Sequence, residues 1–191
     1  MKKKLTVGIS NRHAHLTQAQ LDMLFGEGYA LTFNRNILQQ DEFVSNETID
    51  IIGPKGMLKN IRIMGPTRNV AQIELSLTDA YQVGVKGNVR ISRDVKGSSA
   101  IRLVGPCGEC QLNEGVIVPL RHIHISPNDA GSLNFWPGKK VCVETKGERG
   151  LIFKNVVVRI DEEFIYEFHI DRDEANAAGL SHGDEVFLIH Q

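Results

Sequence analysis

The segment Arg12-His13-Ala14-His15-Leu16-Thr17 occurs twice in this chain, because Arg121-His122-Ile123-His124-Ile125-Ser126 repeats its pattern 109 positions later. A second pair of similar segments, Lys59–Ile63 and Lys154–Val158, follows in the same order with a displacement of 95. A longer loop in the first copy, between Ala30 and Asp50, accounts for the change of displacement. The alternative is chance similarity, but the matches share one order and a single gap. We therefore predict an internal duplication.

The duplication divides the 191 residues into two halves of small-domain size, which we predict at residues 1–110 and 111–191. Short runs rich in β-branched residues alternate with Gly-Pro and Pro-Gly turns, a pattern typical of small barrels or sandwiches. The predicted strands are Leu5–Ser10, Thr48–Ile52, Asn60–Met64, Ala71–Leu77, Asn88–Ser92, Ala100–Val104, Gly115–Val118, Lys140–Glu144, Leu151–Ile160, Phe164–Ile170 and Glu185–Ile189. The sequence thus predicts a mainly β protein.

Three short helices are predicted from their end signals. Thr17 and Gln20 form a capping box that begins a helix running to about Phe25. Ser126 followed by proline begins the equivalent helix in the second half. A third helix over Asp173–Ala178 ends at Gly179.

Composition narrows the classes of function. The chain has 22 Lys plus Arg against 23 Asp plus Glu, so its net charge of −1 gives no electrostatic basis for binding nucleic acid or an anionic membrane. No apolar run approaches the length of a membrane span. The basic start resembles a signal peptide, but Arg12 and His13 interrupt its apolar stretch. Three cysteines are too few and odd in number for a disulfide framework, so we expect a reduced, cytoplasmic protein.

The two His-x-His motifs predict metal sites. Residues two apart on a strand face the same side, so both imidazoles of a motif can bind one ion. The repeat supplies a third ligand, because Glu74 and His169 occupy equivalent positions. The predicted ligand sets are therefore His13, His15 and Glu74 in the first half, and His122, His124 and His169 in the second. Three protein ligands with an open fourth position are typical of catalytic zinc, although cobalt or nickel fits as well. The alternative is six ordinary polar side chains that agree because of the duplication.

Three arginines near these motifs have different predicted roles. Arg12 and Arg121 precede the histidine pairs and alternate to the opposite face, so we expect them to be structural. Arg68 lies in the turn that leads to the strand of Glu74, where a guanidinium could hold a phosphate or an oxyanion. A solvated surface arginine is the alternative.

Four segments of the chain resemble the PduL-type phosphate propanoyltransferases, which are phosphotransacylases associated with bacterial microcompartments. The segments are Ser10–Thr17, Gly65–Glu74, Arg121–Ser126 and Phe168–Asn176, and the similarity covers nearly the whole chain. The resemblance implies two small β-barrel domains related by duplication and capped by short helices. It also implies that the first strand joins the C-terminal barrel and that the active protein is a homodimer.

The resemblance also implies the site. The six predicted ligands would hold two metal ions, usually Zn²⁺ and with Co²⁺ or another divalent metal as alternatives, at a dimetal site at the junction of the barrels. Arg68 would bind phosphate. Coenzyme A would lie between the barrels, near Ser10, Arg35, Arg62 and Asn176.

The implied reaction is reversible: acyl-CoA and phosphate give acyl phosphate and free CoA, with propanoyl or acetyl as the acyl group. The absence of an obvious nucleophile agrees with a reaction that needs no covalent enzyme intermediate. One alternative is a dimetal thioester or ester hydrolase, and another is a non-catalytic barrel module that binds structural metal. Many relatives carry an N-terminal extension that directs encapsulation. Here the first strand begins near residue 5, so we expect a free cytoplasmic enzyme, or one recruited to a microcompartment by other means.

Overall fold

The computed structural model describes residues 3–37 and 42–189, which form two compact units. The N-terminal unit is the continuous segment Asn11–Pro119. The C-terminal unit combines the residues up to Ser10 with those from Leu120 onward. Among the described residues, no helix has the length and apolar character needed to cross a membrane.

The N-terminal unit contains a closed ring of six strands. Its elements in chain order are β2 (His13–His15), α1 (Gln18–Phe25), β3 (Phe33–Asn36), β4 (Phe43–Ile52), β5 (Met57–Gly65), β6 (Gln72–Glu74), α2 (Leu77–Val83), β7 (Val89–Arg90), β8 (Ser99–Val104) and β9 (Glu109–Pro119). The ring runs β4-β5-β2-β6-β9-β8 and closes where β8 pairs with β4. Strand β3 pairs with β4, and β7 pairs with β9.

The C-terminal unit is a second closed barrel of six strands. Its elements are β1 (Lys3–Ser10), β10 (His122–Ile125), α3 (Pro127–Ser132), β11 (Lys140–Glu144), β12 (Ile152–Ile160), β13 (Glu167–Asp171), α4 (Arg172–Ala178) and β14 (Glu185–Ile189). The order around the barrel is β1-β13-β10-β12-β11-β14. The predicted fold, two duplicated β-barrels with few short helices, is confirmed.

Each His-x-His motif lies in one unit, whereas the strand directly before it in sequence belongs to the other unit. Strand β1 precedes β2 but pairs in parallel with β13 of the C-terminal unit. Strand β9 precedes β10 but pairs in parallel with β6 of the N-terminal unit. With the repeat displacement of 109 residues, Lys3–Ser10 corresponds to the end of β9. The rings of the two barrels are therefore completed by equivalent strands of the repeat. The boundary between residues 110 and 111 separates the two copies of the sequence repeat rather than the two units, and it stays a prediction.

Each barrel encloses its own apolar core. Alternation along the short histidine strands directs the residue between the histidines inward, so Ala14 and Ile123 are fully buried. The largest fully buried side chain is Phe168, which lies in the C-terminal core. Burying such aliphatic and aromatic side chains stabilises each barrel by about 1.5–3 kcal/mol per large residue. Since the cores are inside, the histidines of both motifs face away from them.

The predicted helix signals are present, but α4 begins at Arg172, one residue before the predicted Asp173, and helix α2 was not predicted. The capping box of Thr17 and Gln20 is formed, Ser126 caps α3, and Gly179 ends α4 in the left-handed conformation. The prediction of a strand over Ala71–Leu77 was wrong at its end, because Ser76 caps helix α2, which starts at Leu77. The predicted longer loop of the first copy contains β3, and its residues 38–41 lie outside the described residues.

The two repeated arginines form equivalent ion pairs, which agree with the structural role predicted for them. Arg12 lies 3.2 Å from Asp79 of α2, and Arg121 lies 3.0 Å from Glu174 of α4. Asp79 and Glu174 are equivalent positions of the repeat. In each unit the arginine before the histidine pair is therefore ion-paired with the helix that follows β6 or β13.

We expect Glu174 to make the stability of the metal-free protein depend on pH. Burial is the largest cause that raises the pKa of Glu174 from 4.5 to about 7, and repulsion from Asp171 is the second. The hydrogen bonds from Asp171 and Arg121 act in the opposite direction and lower this pKa. Between these two values the unfolded chain releases a proton that the folded chain keeps. The free energy of unfolding therefore falls by up to about 3 kcal/mol as the pH rises through this range. In Glu174→Gln that contribution is absent, and urea titrations at pH 5 and pH 8 measure the difference between the two proteins.

The exposed Glu148→Gln is the control and should keep the wild-type dependence on pH. Equal slopes in wild type and Glu174→Gln would contradict the prediction.

Candidate metal and anion site

In the N-terminal unit, strand pairing brings the three predicted ligands together. Strand β2 pairs antiparallel with β6 so that His13 lies directly opposite Glu74. His15 is on the same face of β2 as His13, two residues along, and their rings are 5.0 Å apart. Directly opposite residues of an antiparallel pair have side chains in contact range. The Nε2 of His13 accordingly lies 3.5 Å from a carboxylate oxygen of Glu74.

The C-terminal unit repeats this arrangement with histidine in the third position. His122 lies directly opposite His169 in the antiparallel pair β10–β13. The rings of His122 and His169 are stacked with centroids 5.0 Å apart, and the His124 and His169 centroids are 4.3 Å apart. The Nε2 atoms of His122 and His124 are 3.0 Å apart.

The first histidine of each motif has a defined tautomer. The Nδ1 of His13 lies 2.8 Å from the carbonyl oxygen of Asn11, and the Nδ1 of His122 lies 2.8 Å from that of Leu120. A carbonyl oxygen only accepts, so each Nδ1 carries a hydrogen, and the neutral ring then has its lone pair on Nε2. This is the outer hydrogen bond that metal-binding histidines usually make.

Burial favours the neutral form of three imidazoles, those of His15, His122 and His124. Burial lowers the pKa of His15 well below its ordinary value, and repulsion from His13, Arg68 and Arg93 acts in the same direction. Burial and then repulsion from His169 lower the pKa of His122 and His124. Neutral imidazole is the form that binds a metal ion.

Both groups of three residues fit a metal ion. The ligand atoms of His13, His15 and Glu74 all lie within 4.8 Å of one another, as do those of His122, His124 and His169. The Nδ1 of His15 is buried and has no hydrogen-bond partner among the described residues. In the other group, the Nε2 atoms of His122 and His124 lie 3.0 Å apart, close enough for both to reach one ion. Such nitrogen and oxygen donors can bind Zn²⁺ or a similar divalent ion.

Arg68 is half-buried rather than a solvated surface residue. Its backbone N–H donates to the carbonyl oxygen of Leu16 at 2.8 Å, which fixes the turn against the end of the histidine segment. One guanidinium nitrogen, Nη2, donates to Glu42 at 2.5 Å. The other, Nη1, is buried without a hydrogen-bond partner among the described residues. The guanidinium can therefore bind an anion while Glu42 fixes its orientation.

Sequence reasoning missed Arg159, Phe164 and Glu42. Arg159 lies opposite His124 in the pair β10–β12, with its Nη1 3.5 Å from the Nε2 of His124. The Phe164 ring stacks on His124 with centroids 3.8 Å apart. Arg159 and Phe164 have no counterparts in the first half, because the repeat aligns them with Met64 and Asn69. The duplication therefore carried no signal for them.

The residues assigned to coenzyme A by resemblance are divided between the units. Ser10 ends β1 opposite Asp171, and Asn176 is exposed on α4, the helix that Asp171 caps. In the other unit, Arg35 is exposed on β3. Arg62 donates to the carbonyl oxygens of Ser45 and Asn46 at 3.3 and 2.6 Å, so it also stabilises the start of β4.

Comparison with known proteins identifies the family. The family model described as phosphate propanoyltransferase matches residues 6–181. The chain is 45% identical over 190 residues to a phosphate propanoyltransferase of Thermotoga maritima, an alignment that covers 97% of this chain and 89% of the relative. It is 45% identical to a phosphate propanoyltransferase of Lachnoclostridium phytofermentans, covering 96% and 86%, and 44% identical to one of Salmonella typhimurium, covering 93% and 85%. These similarities extend over both barrels, and the chain therefore belongs to the phosphate propanoyltransferase family.

Proposed function

We propose that this protein is a phosphotransacylase that transfers a short acyl group, propanoyl or acetyl, reversibly between coenzyme A and inorganic phosphate. Membership of the phosphate propanoyltransferase family supports the reaction class. The observation that carries the proposal is the duplicated three-residue group together with Arg68, whose Nη1 has no hydrogen-bond partner among the described residues. Such a combination suits a reaction whose substrates and transition state are anionic.

Each of the two groups would hold one divalent ion, Zn²⁺ or alternatively Co²⁺. His13, His15 and Glu74 would hold the first ion, and the other three histidines would hold the second. When bound, the ions would supply Lewis-acid charge for anionic oxygen atoms. Three protein ligands per ion leave coordination positions open, as in catalytic rather than structural zinc sites.

Arg68 would bind the anionic oxygens of phosphate. Since Glu42 holds its Nη2 and Leu16 holds its backbone, the guanidinium has little freedom to lose when the anion binds. The Nη1 is available for a charge-assisted hydrogen bond. Arg68 would also stabilise the oxyanion that forms on the thioester carbonyl, because an arginine stays protonated throughout.

The chemistry is an addition followed by an elimination. A phosphate oxygen attacks the thioester carbonyl carbon, a carbon–oxygen bond forms, and the carbonyl electron pair moves to oxygen as the oxyanion. The carbonyl then re-forms and the carbon–sulfur bond breaks. The sulfur leaves with its electron pair and takes the proton that the hydrogen phosphate releases, which gives acyl phosphate and free CoA. No side chain forms a covalent bond with the acyl group.

Ser10, Arg35, Arg62 and Asn176 are the proposed contacts to coenzyme A. Arg35 supports this role because it is exposed and able to pair with a phosphate of the cofactor. Arg62 already donates to two backbone carbonyls, so its substitution would change the barrel as well as the contact.

The same proposal extends to assembly and location. A homodimer follows from the family resemblance, and light scattering of the purified protein measures its mass. The free thiols of Cys107, Cys110 and Cys142 fit a reducing cytoplasm. Microcompartment association stays a prediction.

The reaction itself is tested by thiol release. The purified protein with metal restored should release free CoA from propanoyl-CoA only when inorganic phosphate is present, because phosphate is the acyl acceptor. An assay with a thiol reagent, run with and without phosphate, measures this. Thiol release at the same rate without phosphate would indicate a dimetal thioesterase and would overturn the proposal.

Substitution of Arg68 should affect phosphate use. Arg68→Gln removes the charge that faces the anion, and we expect kcat/KM for phosphate to fall by about 10²–10³-fold. Steady-state kinetics with phosphate as the varied substrate measure the change. Arg102→Gln is the matched control, since Arg102 is an exposed arginine paired with Glu109 on neighbouring strands. An unchanged kcat/KM in Arg68→Gln would remove Arg68 from the site.

The metal content is tested at His122. His122→Ala should leave one metal ion per chain instead of two, because the second group is reduced to two ligands. Elemental analysis after dialysis against metal-free buffer gives the stoichiometry. His182→Ala is the control, since the His182 Nδ1 accepts only a backbone hydrogen bond from Ile9, at 3.3 Å, among the described contacts. Two retained ions in His122→Ala would contradict the ligand assignment.

A further inference from the structure

The repeat places two buried polar residues, Gln72 and Glu167, at equivalent positions. Each comes two residues before the third residue of its group, Glu74 or His169, and so faces the same side of its strand. In one unit the pair is an amide followed by a carboxylate, and in the other it is a carboxylate followed by an imidazole.

Gln72 uses its whole amide to hold its surroundings. Its side chain is 1% exposed, and its Nε2 donates to Glu74 at 2.6 Å and to the hydroxyl of Ser92 at 2.9 Å. Its Oε1 accepts from the backbone N–H of Arg93 at 2.6 Å. Gln72 therefore fixes the carboxylate of Glu74 with a neutral donor.

Glu167 makes the corresponding contact with opposite chemistry. It is 5% exposed, and its Oε2 lies 2.9 Å from the Nε2 of His169. Its Oε1 is buried without a hydrogen-bond partner among the described residues. A buried carboxylate with one unpaired oxygen is costly unless a nearby positive charge compensates it.

Gly8 leaves the space that this carboxylate occupies. Gly8 lies opposite His169 in the pair β1–β13. A Cβ at Gly8 would be 2.7 Å from the Cδ of Glu167 and 2.8 Å from its Oε2, closer than real Cβ contacts allow. The backbone of Gly8 is not left-handed, so the glycine serves the close approach rather than a turn.

The charge of the three-histidine group explains why a carboxylate belongs there. Three imidazole ligands supply no negative charge to a divalent ion, and the guanidinium of Arg159, 3.5 Å from His124, adds further positive charge. In the other group, Glu74 itself supplies one negative charge. Glu167 is not part of the group of three ligand atoms, but it contacts one of its members.

We propose that Glu167 is the positioning residue of His169 and supplies the negative charge that the three-histidine metal site lacks. Each site would then contain one carboxylate, as a ligand in the N-terminal unit and at the Nε2 of His169 in the C-terminal unit, which would leave the Nδ1 of His169 to bind the ion. Carboxylate–histidine–metal arrangements of this kind orient the ring and increase its basicity. The inference rests on the metal content given under the proposed function.

The test is Glu167→Gln in the full chain. The substitution keeps the shape and removes the charge, so we expect binding of one of the two ions to weaken by about 10–100-fold, as outer-shell substitutions do. Competition with a chromophoric chelator measures the two dissociation constants, and the visible spectrum of the Co²⁺-substituted protein reports the geometry of the affected ion. Gly8→Ala should weaken the same ion, because its Cβ displaces the carboxylate.

Glu185→Gln is the matched control in the same unit, since Glu185 is exposed and paired with Lys4. We expect it to bind both ions as the wild type does. The thermal midpoint of metal-free Glu167→Gln should equal or exceed that of the metal-free wild type, because a buried unpaired charge is removed.

Two results would overturn the role of Glu167. One is unchanged affinity for both ions in Glu167→Gln, and the other is a loss of affinity that accompanies an equal loss of stability in the metal-free protein. A wild-type chain that binds fewer than two ions would instead overturn the proposed metal content.

Discussion

The antiparallel pairing between the His-x-His strand and the strand of Glu74 or His169 is the constraint on which each group of three residues depends. In both units the first histidine lies directly opposite the third residue, His13 opposite Glu74 and His122 opposite His169. A shift of this pairing by one residue would turn the third side chain into the barrel core, where Ile73 and Phe168 now lie. The closed barrels prevent such a shift, because every strand of the ring is paired on both sides.

The electrostatic surroundings of the two groups are alike in kind but not in detail. Burial and neighbouring cationic groups keep the pKa values of His15, His122 and His124 low, so the rings are available as neutral donors. Arg68 accompanies the first group and Arg159 the second, although the repeat does not align these two arginines. Positive charge beside these histidine groups favours an anionic substrate, which agrees with the chemistry of the family.

The ion pairs outside the clusters show how the duplication is retained structurally. Arg12–Asp79 and Arg121–Glu174 connect equivalent elements in the two units, although Asp has been exchanged for Glu. The cores differ more freely, since only volume and apolar character are needed there. What the two copies share most closely is therefore the framework that orients the histidine strand.

The sequence alone determined the family, the duplication, the six clustered residues, the starts of α1 and α3 and the ends of α1 and α4, because these follow from local patterns and their repetition. It also contained the signal for helix α2, since Thr78–Ala80 aligns with the start of α4. Only the tertiary structure decided that Glu42 orients Arg68, that Arg159 and Phe164 lie against His124, and that Glu167 contacts His169. Strand alternation fixes the side of the sheet on which a residue lies. It does not fix which distant side chain reaches the same point, because that depends on strand order and on the close approach that Gly8 permits.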